Sequence, residues 1–400
     1  MTAPWLDIIG IGEDGVEGLN PDTRAILAEA EIIIGGDRHH TLIPDLKAER
    51  VRWPTPFDAM IDVIRSYRGR KLVILVTGDP LWYSVGARIT KAIPAEEIRF
   101  HPQLSAFQLA ASRLGWSLAD CETLTIHGRA DSQIIPHIAP NVRLIILTQD
   151  RTSPDAVAKI LIERGYGDSC MRVLAAMGGE NELYFEDVAC KWSNSVPDFH
   201  TLAVECIGGP DAQVYGRIGG LPDDAFLHDG QMTKRVVRAA TLSALTPYPD
   251  AILWDVGAGC GSIAVEWMRA ARGAMAVAIE PVESRVAMIR ENAKNLGTEK
   301  IRIVEGNAPA ALNGLGRPDA VFIGGGLTGE GVFEICWETL RDGGRLVANA
   351  VTIESEAKLL ELQASYGGEL SRINVQQAEP VGRFMGWKPF MPVTQWSVAK

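Results

Sequence analysis

A glycine-rich stretch, Asp255-Val256-Gly257-Ala258-Gly259-Cys260-Gly261-Ser262, joins the apolar run AILW to the amphipathic run IAVEWMRAA, and it constrains this chain more than any other feature. Glycines placed where a strand turns into a helix let the backbone approach a ligand and leave the first helical N–H groups free to hold a polar group. Such a turn belongs to an α/β sheet, so strands and helices must alternate around it. They do: strands are predicted over 252–256, 275–280, 301–305, 319–324 and 344–350, with helical patterns between them. A dinucleotide fingerprint, GxGxxG, needs its third glycine at position 262, where Ser262 stands, so the spacing is GxGxG. Glu280 ends the next predicted strand, where a carboxylate can accept hydrogen bonds from both ribose hydroxyls of a nucleoside. Dinucleotide sites place an acid similarly, so Glu280 does not by itself name the ligand.

The first half has its own alternation, with strands predicted over 6–9, 72–76, 144–148, 171–175 and 201–207 and helices near 22–30, 81–92, 105–114 and 154–163. Three pieces of it carry chemistry. Gly10-Ile11-Gly12-Glu13-Asp14-Gly15 follows the first strand, Thr77-Gly78-Asp79-Pro80 follows the apolar LVILV, and Ser105-Ala106 opens a helix. Alone, GDP is a plain turn tripeptide. The order of the three pieces says more than any one of them. Between the halves, 210–231 is rich in Gly, Pro and Asp and has no sustained hydrophobic period, which predicts a linker between domains over 1–209 and 232–400. The tail over 372–398 reads as two more strands forming a hairpin.

Composition narrows the partners. The formal charge of −11 over 400 residues argues against nucleic acid, whose binders carry basic surfaces. The cysteines, Cys121, Cys170, Cys190, Cys206, Cys260 and Cys336, are scattered without a CxxC pair or a Cys/His spacing suited to zinc, so no metal site is expected. Apolar runs are far shorter than the roughly 20 residues that span a bilayer. Segment 1–7 has no basic region followed by an apolar stretch, so a cytoplasmic location is expected.

The DxGxGxG loop followed by an acid at the second strand end resembles the first motifs of class I S-adenosylmethionine methyltransferases. With Gln231-Met232-Thr233-Lys234 before it, and Glu305-Gly306-Asn307-Ala308-Pro309 and Ile323-Gly324-Gly325-Gly326 after it, the second half resembles the precorrin C15-methyltransferase and decarboxylase family. That resemblance implies cofactor contacts from Thr233, Asp255, Gly257, Ala258, Gly259, Cys260, Gly261, Glu280, Asn307 and Ala308, with Gly324, Gly325 and Gly326 on the acceptor side. Many relatives carry Asp where Asn307 stands. Cys260 reads as a small filler, because no His lies near it and methyl transfer from a sulfonium needs no covalent enzyme intermediate.

The first half, by its strand–GxG, strand–GDPxxxS and Ser-bearing helix start, resembles the class III tetrapyrrole methylases, in particular the precorrin C5-methyltransferase family. The implied fold is a pair of α/β lobes holding the cofactor between them. Gly10, Gly78 and Asp79 would hold its methionine end, Ser105, Ala106 and Leu147 its adenosine, and Met177 would close the pocket. The family's usual Pro-Gly after the first GxG is Glu13-Asp14 here. Both resemblances on one chain are similar to the fused precorrin C5,15-methylating, decarboxylating family of cobalamin biosynthesis. The implied reaction converts precorrin-6Y to precorrin-8X by methylation at C-5 and C-15 and loss of the ring C acetate carboxyl, with two S-adenosylmethionine sites and a homo-oligomeric assembly. Methylation of another acceptor, with the first half as a binding or dimerisation module, is the alternative.

Precorrins carry several carboxylates, so an acidic chain must gather local cations, and arginine forks suit that task. Arg38 and Arg383 are the foremost candidates, with Arg88, Arg129, Arg238 and Lys388 behind them. Each also reads as an ordinary surface charge, and Arg38-His39-His40 reads rather as a solvated helix face than as a carboxylate site. His101 and His127 are expected to be structural. No catalytic dyad is apparent.

Overall fold

Runs of β-branched residues become strands buried on both faces, as a parallel sheet covered by helices requires. The computed structural model describes residues 4–400, so residues 1–3 of the expected first domain lie outside the described residues. The chain divides into two units: one runs to Asp131 and resumes over Ala139–Gln213, and the other comprises Ser132–Ile138 and Val214–Lys400.

The first unit contains two sheets. Strands β1 (Leu6–Ile11), β2 (Ile32–Gly35), β3 (Glu49–Arg52), β4 (Leu72–Thr77) and β5 (Ile98–His101) form an all-parallel sheet ordered β3-β2-β4-β1-β5. Strands β6 (Cys121–Thr125), β7 (Arg143–Leu147), β8 (Cys170–Ala175), β9 (Leu183–Val188) and β10 (His200–Glu205) form a mixed sheet ordered β6-β7-β10-β8-β9. The helix expected over 81–92 shrinks to Gly86–Ile89. Asp79 Oδ1 accepts the Leu81 N–H at 2.7 Å and Tyr83 sits at φ 52°, so the side-chain turn holds the backbone out of helix until Gly86.

The second unit is built on β11 (Ile252–Val256), β12 (Met275–Glu280), β13 (Arg302–Glu305), β14 (Ala320–Ile323), β15 (Arg345–Ala350), β16 (Glu369–Ile373), β17 (Gln376–Val381), β18 (Phe384–Pro389) and β19 (Val393–Ala399). Its main sheet is ordered β13-β12-β11-β14-β15-β19-β16, in which the first five strands are parallel and β19 runs antiparallel to its two neighbours β15 and β16. Alternate residues of β11 feed opposite cores: Leu253 packs with Leu245, Trp267 and Phe322, while Trp254 packs with Leu346, Phe333 and Trp396.

The tail thus holds four strands rather than two. The hairpin is β17–β18, while β16 and β19 extend the main sheet because β19 pairs along the whole of β15 and buries Trp396 completely. The stretch 210–231, read above as a linker, is partly packed: Leu221 and Phe226 are buried against Val265 and Leu296. Its Gly, Pro and Asp residues conceal these two anchors from a periodicity reading. Among the described residues, no helix is long and apolar enough to cross a membrane, and no cluster of His, Cys, Asp and Glu could hold a metal ion.

Candidate active sites

In the second unit the strand order reverses at β11, which pairs with β12 on one side and β14 on the other. Ligands of open α/β sheets bind beyond the carboxyl ends of strands at such a point. A cleft of about 860 Å³ opens there, lined among others by Gly257, Ala258, Gly259, Glu280, Asn307 and Ala308, with Thr233 and Gly324 to Gly326 on its other walls.

The loop's shape follows from its glycines. Gly257, Gly259 and Gly261 take φ of 72°, 58° and 79°, the left-handed region that side chains disfavour. Glu280, almost wholly buried, accepts the Gly259 N–H on Oε2 at 2.7 Å and the Val282 N–H on Oε1 at 3.1 Å. A carboxylate has about four lone-pair sites, so two are left for ligand hydroxyls. Asp255 sits beneath the loop, its Oδ2 accepting the Ala264 N–H at 3.0 Å and its Oδ1 buried without a partner. Burial, aided by the nearby Glu280 charge and opposed by the Ala264 hydrogen bond, pushes its pKa up to about 7.

Asp255, Cys260 and Gly261 do not line the cleft. Cys260 is buried, its carbonyl accepts from Asn292 Nδ2 at 2.9 Å, and burial raises its thiol pKa, all of which suits a filler rather than a nucleophile. Gly261 is filled against Ile289, 3.0 Å from where a Cβ would stand. Thr233 lines the cleft but does not cap the helix Arg235–Leu245, whose N-cap is Lys234.

Several expected cations are already engaged. Arg238 is fully buried, paired with Glu266 at 2.6 Å and Asp223 at 3.0 Å and donating to the carbonyls of Leu221 and Thr233, so it is not a substrate contact. It anchors the stretch 221–233 to the unit. Arg383 lies at the β17–β18 turn over the Phe384 ring, 5.1 Å from its centroid, and is not part of the cleft lining. Lys388 pairs with Glu379 at 2.9 Å. Sequence reasoning missed Arg285, which lines the cleft while bonding Asp229 at 2.8 Å and Gln231 Oε1 at 2.6 Å, and Asn349 at the end of β15. The strand-end position of Asn349 was the signal available for it.

In the first unit Gly10, near the end of β1, meets Gly78, just after β4: a Cβ on Gly10 would overlap the Gly78 carbonyl oxygen, and one on Gly78 would stand 2.8 Å from the Ser105 Cα. Gly78, Ala106 and Met177 line a small cavity of about 40 Å³ together with Arg38 and Phe199. Gly10, Asp79, Ser105 and Leu147 lie outside its lining. Leu147 packs with the Phe107 cluster, whereas the Ser105 hydroxyl is buried without a partner. Arg38 forks onto Glu13, donates to Thr77 Oγ1 at 3.0 Å and stacks over Phe199 at 4.0 Å, which places it at the cavity and not on a solvated face.

His39 Nδ1 accepts the Gly36 N–H at 3.2 Å, so its proton is on Nε2, 3.1 Å from Thr77 Oγ1. Burial and the Arg38 and His40 charges lower its pKa to about 4, which keeps it neutral. Arg88 pairs with Asp58 at 2.6 Å, and Arg129 lies over Tyr83, 5.8 Å from its centroid. His101 bonds Asp7 at 2.7 Å and His127 the Thr148 carbonyl at 3.3 Å, both structural contacts.

The family model described as precorrin methyltransferase domain matches residues 224–400, and that of tetrapyrrole (corrin/porphyrin) methylases matches residues 6–189. A Sinorhizobium protein named precorrin-6Y C(5,15)-methyltransferase (decarboxylating) is 44% identical over 100% of this chain and 97% of its own. A Mycobacterium tuberculosis (strain CDC 1551 / Oshkosh) protein of the same name is 40% identical over 98% of this chain and 99% of its own. Among solved structures, the C-terminal domain of precorrin-6Y C5,15-methyltransferase from Rhodobacter capsulatus is 47% identical, covering 46% of this chain and 100% of that one with a TM-score of 0.44. By these full-length matches the chain belongs to the precorrin-6Y C(5,15)-methyltransferase (decarboxylating) family.

Proposed function

We propose that this chain methylates precorrin-6Y at C-5 in its first unit and at C-15 in its second, where it also releases the carboxyl of the ring C acetate as carbon dioxide, yielding precorrin-8X for cobalamin. S-adenosylmethionine is the methyl donor, bound once in each unit. The observation that carries this reading is the glycine cradle at the strand-order reversal, with Glu280 beneath it and an 860 Å³ cleft beyond it, on a chain matched end to end by decarboxylating relatives.

The residues fit the donor. In the second unit Glu280 has acceptor capacity for ribose hydroxyls, Gly257 to Gly259 hold the methionine end, and Asn307 and Ala308 face the adenine. Asp255 acts from beneath, through Ala264 and the loop it braces. Thr233 closes one side, while Gly324 to Gly326 leave room for the acceptor. In the first unit Gly10, Gly78 and Asp79 shape the cradle, Ser105, Ala106 and Leu147 support the adenosine, Met177 closes it, and Arg38, at the cavity, offers a cation to the macrocycle's carboxylates.

When bound, the donor supplies a methyl group that is already a strong electrophile. The chain's task is therefore to align an electron-rich ring carbon behind the S–CH₃ bond and exclude water. The reduced tetrapyrrole's enamine-like system makes its meso carbons nucleophilic without a base, and the proton that each methylated, cationic ring system then loses passes to solvent. Decarboxylation sends the carbon–carbon bond electrons into the macrocycle, and a proton then completes the methyl group. The acidic charge fits a chain acting in the cytoplasm on a small molecule, with no nucleic acid partner, and we infer a homo-oligomer.

Incubating the full chain with precorrin-6Y and S-adenosylmethionine, followed by mass spectrometry, tests this directly. Two added methyls and one lost carbon dioxide are expected. A product lacking either change refutes the assignment, and binding of fewer than two S-adenosylhomocysteines per chain refutes the two-site reading.

A further inference from the structure

The cleft of the second unit has one wall that the cofactor contacts leave unused. Val351, Ile373, Val375, Phe390 and Val393 line it, and Asn349, at the carboxyl end of β15, is the polar side chain that lines it with them. Among the described residues, the cations that line the cleft are Lys234 and Arg285, and neither belongs to this wall: Lys234 precedes the helix Arg235–Leu245 and Arg285 bonds Asp229 and Gln231.

Asn349 is held by two residues distant in sequence. Its Nδ2 donates to Thr241 Oγ1 at 3.0 Å, and its Oδ1 accepts from Gln395 Nε2 at 2.9 Å. Gln395 Nε2 also donates to Thr241 Oγ1 at 3.0 Å, while the Thr241 hydroxyl donates to the Val237 carbonyl at 2.8 Å. The orientation of both amides follows. Thr241 has one hydrogen, committed to Val237, so each amide must turn its NH₂ toward Thr241. Thr241 is wholly buried and Gln395 nearly so, whereas Asn349 is half-buried. The network thus leaves one N–H of Asn349 Nδ2 unspent on a side chain that borders the cleft.

A carboxylate that must leave as carbon dioxide needs an unusual site. A cation would hold its negative charge in the ground state and oppose the flow of electrons into the macrocycle, and bulk water would do the same. An apolar wall with one neutral donor desolvates the group and still orients it. We propose that the Asn349 Nδ2–H is the donor that orients the departing acetate carboxylate of the tetrapyrrole, with Thr241 and Gln395 as positioning residues that fix its direction. This rests on the decarboxylating function proposed above. In the step, the bond between the acetate methylene and the carboxylate carbon breaks, its electron pair enters the conjugated ring system, carbon dioxide leaves, and a solvent proton converts the methylene to methyl.

The test uses the full chain with precorrin-6Y and S-adenosylmethionine, following carbon dioxide release and the methyl count, beside S-adenosylhomocysteine titration. For Asn349→Ala, carbon dioxide release should slow by about 10- to 100-fold, the cost of a misaligned reacting group, with S-adenosylhomocysteine affinity within about twofold of the parent. Thr241→Val and Gln395→Leu should slow it less, since the donor persists but can turn. Asn349→Asp should release carbon dioxide in mildly acidic solution, where its protonated carboxyl donates, and lose this as pH rises and it becomes a like charge. Release by Asn349→Ala at the parent's rate overturns the proposal. So does a loss of S-adenosylhomocysteine affinity that matches the loss of rate, because the network then only holds the cleft together. A parent chain that releases no carbon dioxide from precorrin-6Y refutes the function itself, and this inference falls with it.

Discussion

Gly257 and Gly325 lie so close that a Cβ on Gly257 would stand 2.8 Å from the Gly325 amide nitrogen and 2.9 Å from its Cα. The contact joins the loop after β11 to the loop after β14 at the point where the strand order reverses, so the glycines proposed for the cofactor and those proposed for the acceptor share one wall.

Gly257→Ala meets both that clash and a φ of 72°. The left-handed conformation alone costs about 1–2 kcal/mol for a residue with a side chain. The expected result is at least a tenfold fall in S-adenosylhomocysteine affinity at one of the two proposed sites, with methylation at C-5 retained. Calorimetric titration of the full chain checks the first and mass spectrometry the second; an unchanged isotherm would contradict the cradle.

Arg238 is wholly buried between Glu266 and Asp223. Removing one partner of a buried pair strands a charge, at a cost of about 3–5 kcal/mol. Arg238→Met should therefore lower the urea midpoint sharply and loosen the stretch 221–233 that it anchors. Adding Glu266→Gln to that variant should recover part of the loss, and no recovery would show that the stranded carboxylate was not the cause.

His39 titrates near 4 in the folded chain because burial, with the Arg38 and His40 charges, disfavours its proton, against 6.5 for an ordinary His. Between those values the unfolded chain binds the proton and the folded one does not, so this contribution is complete above 6.5 and shrinks as pH falls toward 4. Unfolding free energies of the parent and His39→Asn, measured from pH 7 to pH 5, should converge as pH falls. A constant difference would place His39 in solvent.

Asp255 shows the opposite sign. Burial raises its pKa from 3.8 to about 7, so ionising it in the folded chain costs stability that accumulates as pH rises through that window. An asparagine at this position would keep the acceptor for the Ala264 N–H while offering no charge. Asp255→Asn is thus expected to be more stable than the parent at pH 8 by roughly 1–3 kcal/mol and to lose that advantage near pH 4. Denaturant titrations at the two pH values decide it.

Much of the main sheet of the second unit was legible because its parallel strands are continuous apolar runs that alternate with helices, and because Gly257, Gly259 and Gly261 mark a backbone conformation other residues resist. Local patterns of that kind need no partner to be read. Short strands such as β2 and β3 escaped notice, since four residues carry too little periodicity to separate a strand from a loop.

The sequence by itself determined the α/β character of both halves, the glycine-rich turn over 257–261, the acid at Glu280 and the family that these motifs resemble. Only the tertiary structure decided which charges were free. Arg238 and Arg383 look alike in a string of letters, yet one is entombed between two carboxylates and the other sits on a hairpin turn, because pairing depends on residues that folding brings together from far along the chain. The same holds for Asn349, whose orientation is set by Thr241 and Gln395, 108 and 46 positions away. Local conformation is encoded locally, whereas the partner of a polar group is a property of the packed fold.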